Sequence, residues 1–294
     1  MKNILITGGS GFIGSTFVKN LKKNKSYKVF HPTSKILNLT NLKSVNNFFS
    51  KNKIDYVIHT ANHHVHPKDS KSKDSDSQLK NNLSMFFNLY INSPHYKRLI
   101  NFGSGGELPR DKWNKNIKEI DIGKFIPKDQ YGLSKMIISD FIKKIKNQKF
   151  INLRLFGVFG EKDNWQYRFI PNMCAHAVLN KDLEIHNNAL FDFIYIDDVV
   201  KTTVRILNKK LKKHDYNLST GKGCELYEIA SKVLELNGNK KLKIKIPSKK
   251  IIVSYVGNNN RIKKDKLLCN MTPIETSIKN VLEYLKTIKN KINL

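Results

Sequence analysis

Apolar runs of strand length alternate with stretches of helical spacing through the first half of the chain. Lys2 to Thr7 is a short apolar run that reads as a buried strand. Gly11 to Leu21 then sets Phe12, Ile13, Phe17, Val18 and Leu21 at helical intervals. Tyr27 to Phe30 reads as a second strand ending at His31-Pro32, and a helix over Leu42 to Lys51 leads into a third strand, Ile54 to His59. The Ser-, Lys- and Asp-rich tract Pro67 to Ser77 has no apolar period and is expected to be a mobile loop. A helix over Leu79 to Asn92, a strand over Arg98 to Phe102, a helix through Tyr131 and Lys135 to Lys146, and a strand over Ile151 to Phe156 complete the series.

This alternation predicts an α/β protein built on a Rossmann-type doubly wound parallel sheet. Ligands on such sheets bind at the carboxyl ends of the strands. The glycine loop at Thr7 to Gly14, His59 to Asn62 and Gly103 to Glu107 are all placed there. Over 161–190 the pattern loosens, with one helix expected from Pro171 to Leu179. Phe191 to Ile196 and the helix opened by Asp197-Asp198 are expected to return to the sheet, the two carboxylates acting as N-terminal charge. The remainder reads as a small α/β region. Its closing helix is expected to start with Thr272 as cap, Pro273 at the first position and Glu275 completing a capping box.

Composition narrows the class. A chain of 294 residues with 39% hydrophobic content can bury a large core. No run approaches the ~20 apolar residues of a membrane span, and Met1-Lys2-Asn3 runs into Ile4-Leu5-Ile6 without signal-peptide architecture. Cys174, Cys224 and Cys269 are too few and too scattered for a disulfide framework or a metal cluster, so a cytoplasmic location and no bound metal are expected. The net charge of +29 raises a nucleic-acid partner. Lysine, however, is spread along the whole chain with asparagine and isoleucine. Arginine, the better group for bidentate contacts, is confined to Arg98, Arg110, Arg154, Arg168, Arg205 and Arg261. Neither a nucleic-acid nor a membrane partner is expected; the charge could draw an anionic substrate.

The candidate chemistry starts with Gly8, Gly11 and Gly14, spaced G-x-x-G-x-x-G between a strand and a helix. Glycines there let the backbone approach a pyrophosphate that the helix N-terminus attracts. At the end of the second strand, Phe30 to Lys35 offers no acid for a ribose 2′-hydroxyl but gives Thr33, Ser34 and Lys35 to a 2′-phosphate, which favours NADP(H) over NAD(H). Tyr131 and Lys135 lie at i and i+4 on one helix face, where an ammonium is expected to lower the phenol pKa. Ser104, after the preceding strand, supplies a hydroxyl to orient a substrate oxygen; the alternative is a loop serine capping Gly105-Gly106. His59, His63, His64 and His66 cluster after the third strand. With adjacent imidazoles pointing oppositely and no acid or thiol to complete a set, they read as cleft lining rather than as metal ligands. The chain accordingly divides into a dinucleotide-binding domain, 1–160 with 191–217 returning to it, and a substrate-binding region, 161–190 and 218–294.

These residues, with Asn152-Leu153-Arg154, Asp192 to Asp198 and Tyr216 to Gly221, resemble the extended short-chain dehydrogenase/reductase family of nucleotide-sugar epimerases, dehydratases and reductases. The resemblance covers nearly the whole chain. Its pattern is most similar to the GDP-fucose synthase branch and related 4-keto-deoxysugar reductases, including deoxyheptose reductases. It implies Ser104, Tyr131 and Lys135 as catalytic. It implies a cofactor set of Gly8, Gly11, Phe12, Ile13, Gly14, Thr33, Ser34, Asn38, Leu39, Ala61, Asn62, Lys135 and Phe156, and a substrate set of Gly105, Asn164, Arg168 and Arg261. It also implies a homodimer. Gly106 stands where the fucose synthases carry an acid–base cysteine and Arg168 where they carry its histidine partner, which disfavours epimerisation beside the ketone. Glu107 lies one residue late for the dehydratases. The expectation is an NADP-dependent reductase of a nucleotide-linked 4-keto-6-deoxy sugar. The alternatives are a 4-epimerase retaining NAD, or a bifunctional epimerase/reductase; a non-enzymatic dinucleotide sensor would not need all three catalytic groups.

Overall fold

The computed structural model describes residues 1–63, 65 and 77–294. Most of the tract expected to be a mobile loop, and with it His64 and His66, lies outside the described residues; Ser77 is described and precedes a helix. In chain order the first elements are β1 (Lys2–Thr7), α1 (Phe12–Lys22), β2 (Tyr27–Phe30), α2 (Leu42–Lys51), β3 (Tyr56–His59) and α3 (Gln78–Ile91). There follow β4 (Arg98–Ser104), α4 (Gln130–Ile145), β5 (Phe150–Leu155), β6 (Val158–Phe159), α5 (Phe169–Val178), β7 (Leu183–Glu184), β8 (Asn188–Phe191) and β9 (Ile194–Tyr195). The chain then forms α6 (Ile196–Leu207), β10 (Asp215–Leu218), β11 (Cys224–Glu225), α7 (Leu226–Asn237), β12 (Ile244–Lys245), β13 (Ile251–Tyr255), α8 (Asn260–Lys264) and α9 (Ile274–Thr287).

The main sheet has the order β10-β5-β4-β3-β1-β2, with every pairing parallel. Consecutive residues of a strand face opposite sides. Ile4 and Ile6 therefore join a core with Phe17, Leu21, Val199 and Val281, while Leu5 joins a second core with Phe48, Phe49, Phe86, Ile138 and Ile142. Burying each such side chain stabilises the fold by about 1.5–3 kcal/mol, and a sheet with two covered faces needs apolar residues at nearly every strand position. The continuous apolar runs in the sequence have this cause. Strand order reverses between β1 and β3, so their carboxyl ends open the crevice where such sheets bind ligands.

Three details differ from expectation. Phe191 to Ile196 does not add a strand to the main sheet. Ile194–Tyr195 pairs with Val158–Phe159 in a separate ribbon, α6 packs against α1, and the sixth strand of the main sheet is Asp215–Leu218. Thr272 does not cap the closing helix: its N–H and hydroxyl both donate to Asp198, at 2.7 and 2.8 Å, and the helix begins after Pro273. Glu275 pairs instead with Lys232 at 2.7 Å. The buried Asp198 carboxylate has more to gain from two donors than an exposed helix start has from one cap. Among the described residues no helix is long and apolar enough to cross a membrane.

Candidate active site

The glycine loop joins β1 to α1 under strict steric limits. Gly8 has φ +67°, a left-handed conformation, and a Cβ there would sit 2.7 Å from the backbone of Ala61. A Cβ on Gly14 would collide with the Gly8 carbonyl. Gly11 is the N-cap of α1 and has no side chain with which to cover the first N–H groups, those of Phe12, Ile13 and Gly14. These donors and the positive end of the helix face an open loop, which fits an anionic pyrophosphate. Thr33 and Ser34 lie exposed just past β2. Asn38 ties its own turn by accepting from Thr40 N and Oγ1, and Leu39 is buried in the second core. Ala61 and Asn62 follow β3 on the other side of the crevice. The loop, Thr33 and Ser34 thus fit a dinucleotide. Gly14→Ala is expected to weaken binding of a reduced nicotinamide dinucleotide at least tenfold, measured by nicotinamide fluorescence titration with NADPH and NADH; affinity unchanged for the one that binds would remove the loop from the site.

His59 is fully buried and its Nδ1 meets the Thr7 hydroxyl at 2.8 Å, a contact set by their register in the β1–β3 pair. Burial, aided by Lys135, lowers its pKa to about 3, so the ring is neutral, and it is held under the β1–β3 strand ends by its Thr7 contact. His63 is tied to Asn82 through its backbone. No group of three or more His, Cys, Asp or Glu among the described residues is placed to hold a metal.

Ser104 ends β4, and Tyr131 and Lys135 lie on α4, whose start is capped by the Asp129 carboxylate accepting from Gly132 N at 2.8 Å. Ser104 Oγ accepts from Gly106 N at 3.1 Å and lies close enough to the Tyr131 phenol to hold its pKa down. The serine is thus both the cap of Gly105-Gly106 and the neighbour of the tyrosine. Position 106 faces the same groups, since a Cβ there would stand 3.3 Å from Ser104 Oγ and 3.7 Å from the Tyr131 ring. The electrostatics differ from expectation. Burial raises the Tyr131 pKa, and the forces opposing it are the Ser104 hydrogen bond and the charge of Arg168. Lys135 stands 5.8 Å from the ring centroid and donates to the Phe102 carbonyl at 3.0 Å; burial lowers its own pKa to about 8. A buried ammonium partly stripped of water is a poor anchor for a phenolate.

Two arginines part company here. Arg168, half-exposed before α5, pairs with Asp163 at 3.7 Å and turns its charge toward the phenols, with Asn164 in the turn that begins its helix. Arg261 is instead drawn to the edge of the main sheet, bonding Asp215 Oδ1 at 2.7 Å and Glu119 at 3.6 Å. Two acids therefore share its charge at the sheet edge, whereas the charge of Arg168 acts on the phenols.

The partners of several residues near the site have no signal in a single sequence. Glu107 turns inward, fully buried, and accepts from Arg154 Nη2 at 2.7 Å and from Ser104 N at 2.9 Å. Asp192 accepts from Thr220 N, Thr220 Oγ1 and Gly221 N, which ties together two segments quoted above for their family resemblance. Tyr255, on β13, lays its ring against Phe156 and its hydroxyl over Gly105.

The pattern of the NAD dependent epimerase/dehydratase family matches residues 4–219. Relatives include the GDP-L-colitose synthase of Yersinia pseudotuberculosis, 22% identical and aligned over 98% of this chain and 99% of its own. The GDP-6-deoxy-D-talose 4-dehydrogenase of Aggregatibacter actinomycetemcomitans is 24% identical over 80% of each chain. Among solved structures, a Campylobacter jejuni GDP-mannoheptose C4 reductase with NADP bound superposes with a TM-score of 0.82, at 22% identity over 97% of this chain and 98% of that one. A GDP-L-fucose synthetase from Naegleria fowleri reaches 0.84, at 20% identity over 100% and 95%. The structural likenesses speak for the fold; the match over residues 4–219, well above half of the sequence, shows that the chain belongs to the NAD dependent epimerase/dehydratase family and is an oxidoreductase of that family.

Proposed function

We propose that the protein is an NADP-dependent reductase of a nucleotide-linked 4-keto-6-deoxy sugar. The observation that carries this reading is the convergence of Ser104 and Tyr131 with a proton-less residue, Gly106, at the third position facing them. The relatives named above act on GDP-linked sugars by their names, which supports a GDP sugar first. Segments 161–190 and 218–294 would enclose the nucleotide, with Gly105, Asn164 and Arg168 toward the sugar diphosphate. The cytoplasmic location, expected from the few and scattered cysteines, and the homodimeric state, expected from the family resemblance, belong to the same reading.

The reduced nicotinamide, when bound, supplies the hydride that reduces the ketone carbon. Gly8, Gly11 and Gly14 would hold the pyrophosphate, and Thr33 and Ser34 the 2′-phosphate. Tyr131, kept protonated by burial, gives its proton to the ketone oxygen. Ser104 orients that oxygen by a hydrogen bond. Lys135 would offer its ammonium to the nicotinamide ribose. A glycine at 106 has no proton to exchange beside the ketone, which supports simple reduction over epimerisation.

The first test mixes the protein with NADPH or NADH and a panel of 4-keto-6-deoxy nucleotide sugars, GDP-linked first, and follows absorbance of the reduced nicotinamide. Oxidation of NADPH with one sugar is the expected result. Interconversion of nucleotide sugars without added cofactor would replace the reading with a 4-epimerase. Lys135 adds a pH signature. Its pKa is lowered to about 8, so the ammonium is held below that value and lost above it. The rate is therefore expected to fall as pH rises through about 8; a rate unchanged there would show that the Lys135 charge plays no part.

A further inference from the structure

Tyr255 ends β13, where it pairs in register with Phe191 and its carbonyl accepts from Asp192 N at 3.0 Å. Its ring is wedged among Trp113, Phe156 and Phe191, with centroids 4.1, 5.0 and 5.3 Å away. A ring held on three sides has its hydroxyl position fixed. That hydroxyl lies over Gly105, the residue after Ser104, so near that a Cβ on Gly105 would strike it; the Ser104 hydroxyl acts on both phenols, holding the pKa of Tyr255 and of Tyr131 down against burial. Three hydroxyls are therefore neighbours around Gly105-Gly106, and the order of their protons matters.

A serine hydroxyl has one proton and two lone pairs. One lone pair of Ser104 Oγ takes the Gly106 N–H at 3.1 Å. When the other takes the Tyr255 O–H, the single Ser104 proton is left to point at Tyr131 and the substrate oxygen beside it. Without Tyr255 the serine is free to accept from Tyr131, which would turn the phenol proton away from the ketone.

We propose that Tyr255 is a positioning residue whose O–H donates to Ser104 Oγ and so directs the Ser104 proton toward Tyr131 and the ketone oxygen. The inference rests on Ser104 and Tyr131 being the reacting pair of the function proposed above.

Tyr255→Phe keeps the ring in its aromatic packing and removes only the O–H. With a sugar that the parent enzyme turns over, kcat is expected to fall about tenfold while KM stays within about twofold. Ser104→Ala/Tyr255→Phe should be no slower than Ser104→Ala alone, because Tyr255 acts through Ser104. An unchanged kcat, or losses that multiply in the double variant, would overturn the assignment. A second readout needs no turnover: the NMR spectrum of protein labelled with ¹³C at tyrosine Cζ, the Tyr131 signal being identified by Tyr131→Phe. Tyr255→Phe should move that signal, but not when Ser104→Ala is already present. If the whole sugar panel fails, the proposed function falls while this spectrum still decides the role of Tyr255, and an unmoved Tyr131 signal overturns it.

Discussion

Tyr131→Phe is expected to lower kcat by about 10²- to 10⁴-fold, the range spanned by a positioned general acid. The phenyl ring keeps its place on α4, so the melting temperature and NADPH affinity should match those of the parent. Burial raises the Tyr131 pKa, and the proton therefore stays on the phenol throughout neutral pH, where an acid needs it. Steady-state rates with the sugar found by the panel check this, and a loss below about threefold would sink the proton-donor assignment. Ser104→Ala should cost less, since in the proposed reaction Ser104 orients the oxygen and gives up no proton.

Glu107→Ala should instead strike the scaffold. Glu107 and Arg154 are both fully buried, and Arg154 also contacts Asn217 at 3.0 Å, Ser139 at 2.8 Å and Asp215 at 3.6 Å. Burial works against the guanidinium charge, but Glu107 and Asp215 outweigh it and raise the Arg154 pKa. Removing Glu107 takes away the nearest counter-charge of the buried Arg154 and leaves it only the more distant Asp215, a loss of about 3–5 kcal/mol on the scale of broken buried pairs. Against a usual stability of about 5–15 kcal/mol that is a large fraction. A urea unfolding curve reads it directly; a loss under about 1 kcal/mol would mean that the pair is worth no more than a surface bridge. The variant also strips Ser104 N of its acceptor, so activity should fall even in the molecules that remain folded.

The parallel sheet was legible because its cause is local. A strand covered on both faces must be apolar nearly throughout, and helices wrapping it must repeat their apolar positions every three or four residues. The candidate site was legible where it is equally local: Gly8, Gly11 and Gly14 in one loop, Tyr131 and Lys135 on one helix face, Ser104 at one strand end. Element ends moved by a residue or two, as at β4, which runs on to Ser104 instead of stopping at Phe102. Phe191 to Ile196 was harder, because an apolar run says that a segment is buried and not which strand it joins.

The sequence by itself determined the fold class, the dinucleotide-type loop and the spacing of a phenol and an ammonium on α4, since each follows from residues close along the chain. Tertiary structure alone decided which charges meet. Arg154 faces Glu107 because β4 and β5 pair in register, and Arg261 faces Asp215 because α8 packs beside β10. Thr272 turns to Asp198, and Tyr255 brings its hydroxyl over Gly105 from late in the chain. It also reversed the expected electrostatics of the site, lowering the Lys135 pKa and raising that of Tyr131. The reason is physical: desolvation depends on what the fold places around a group, and no spacing along the chain reports it.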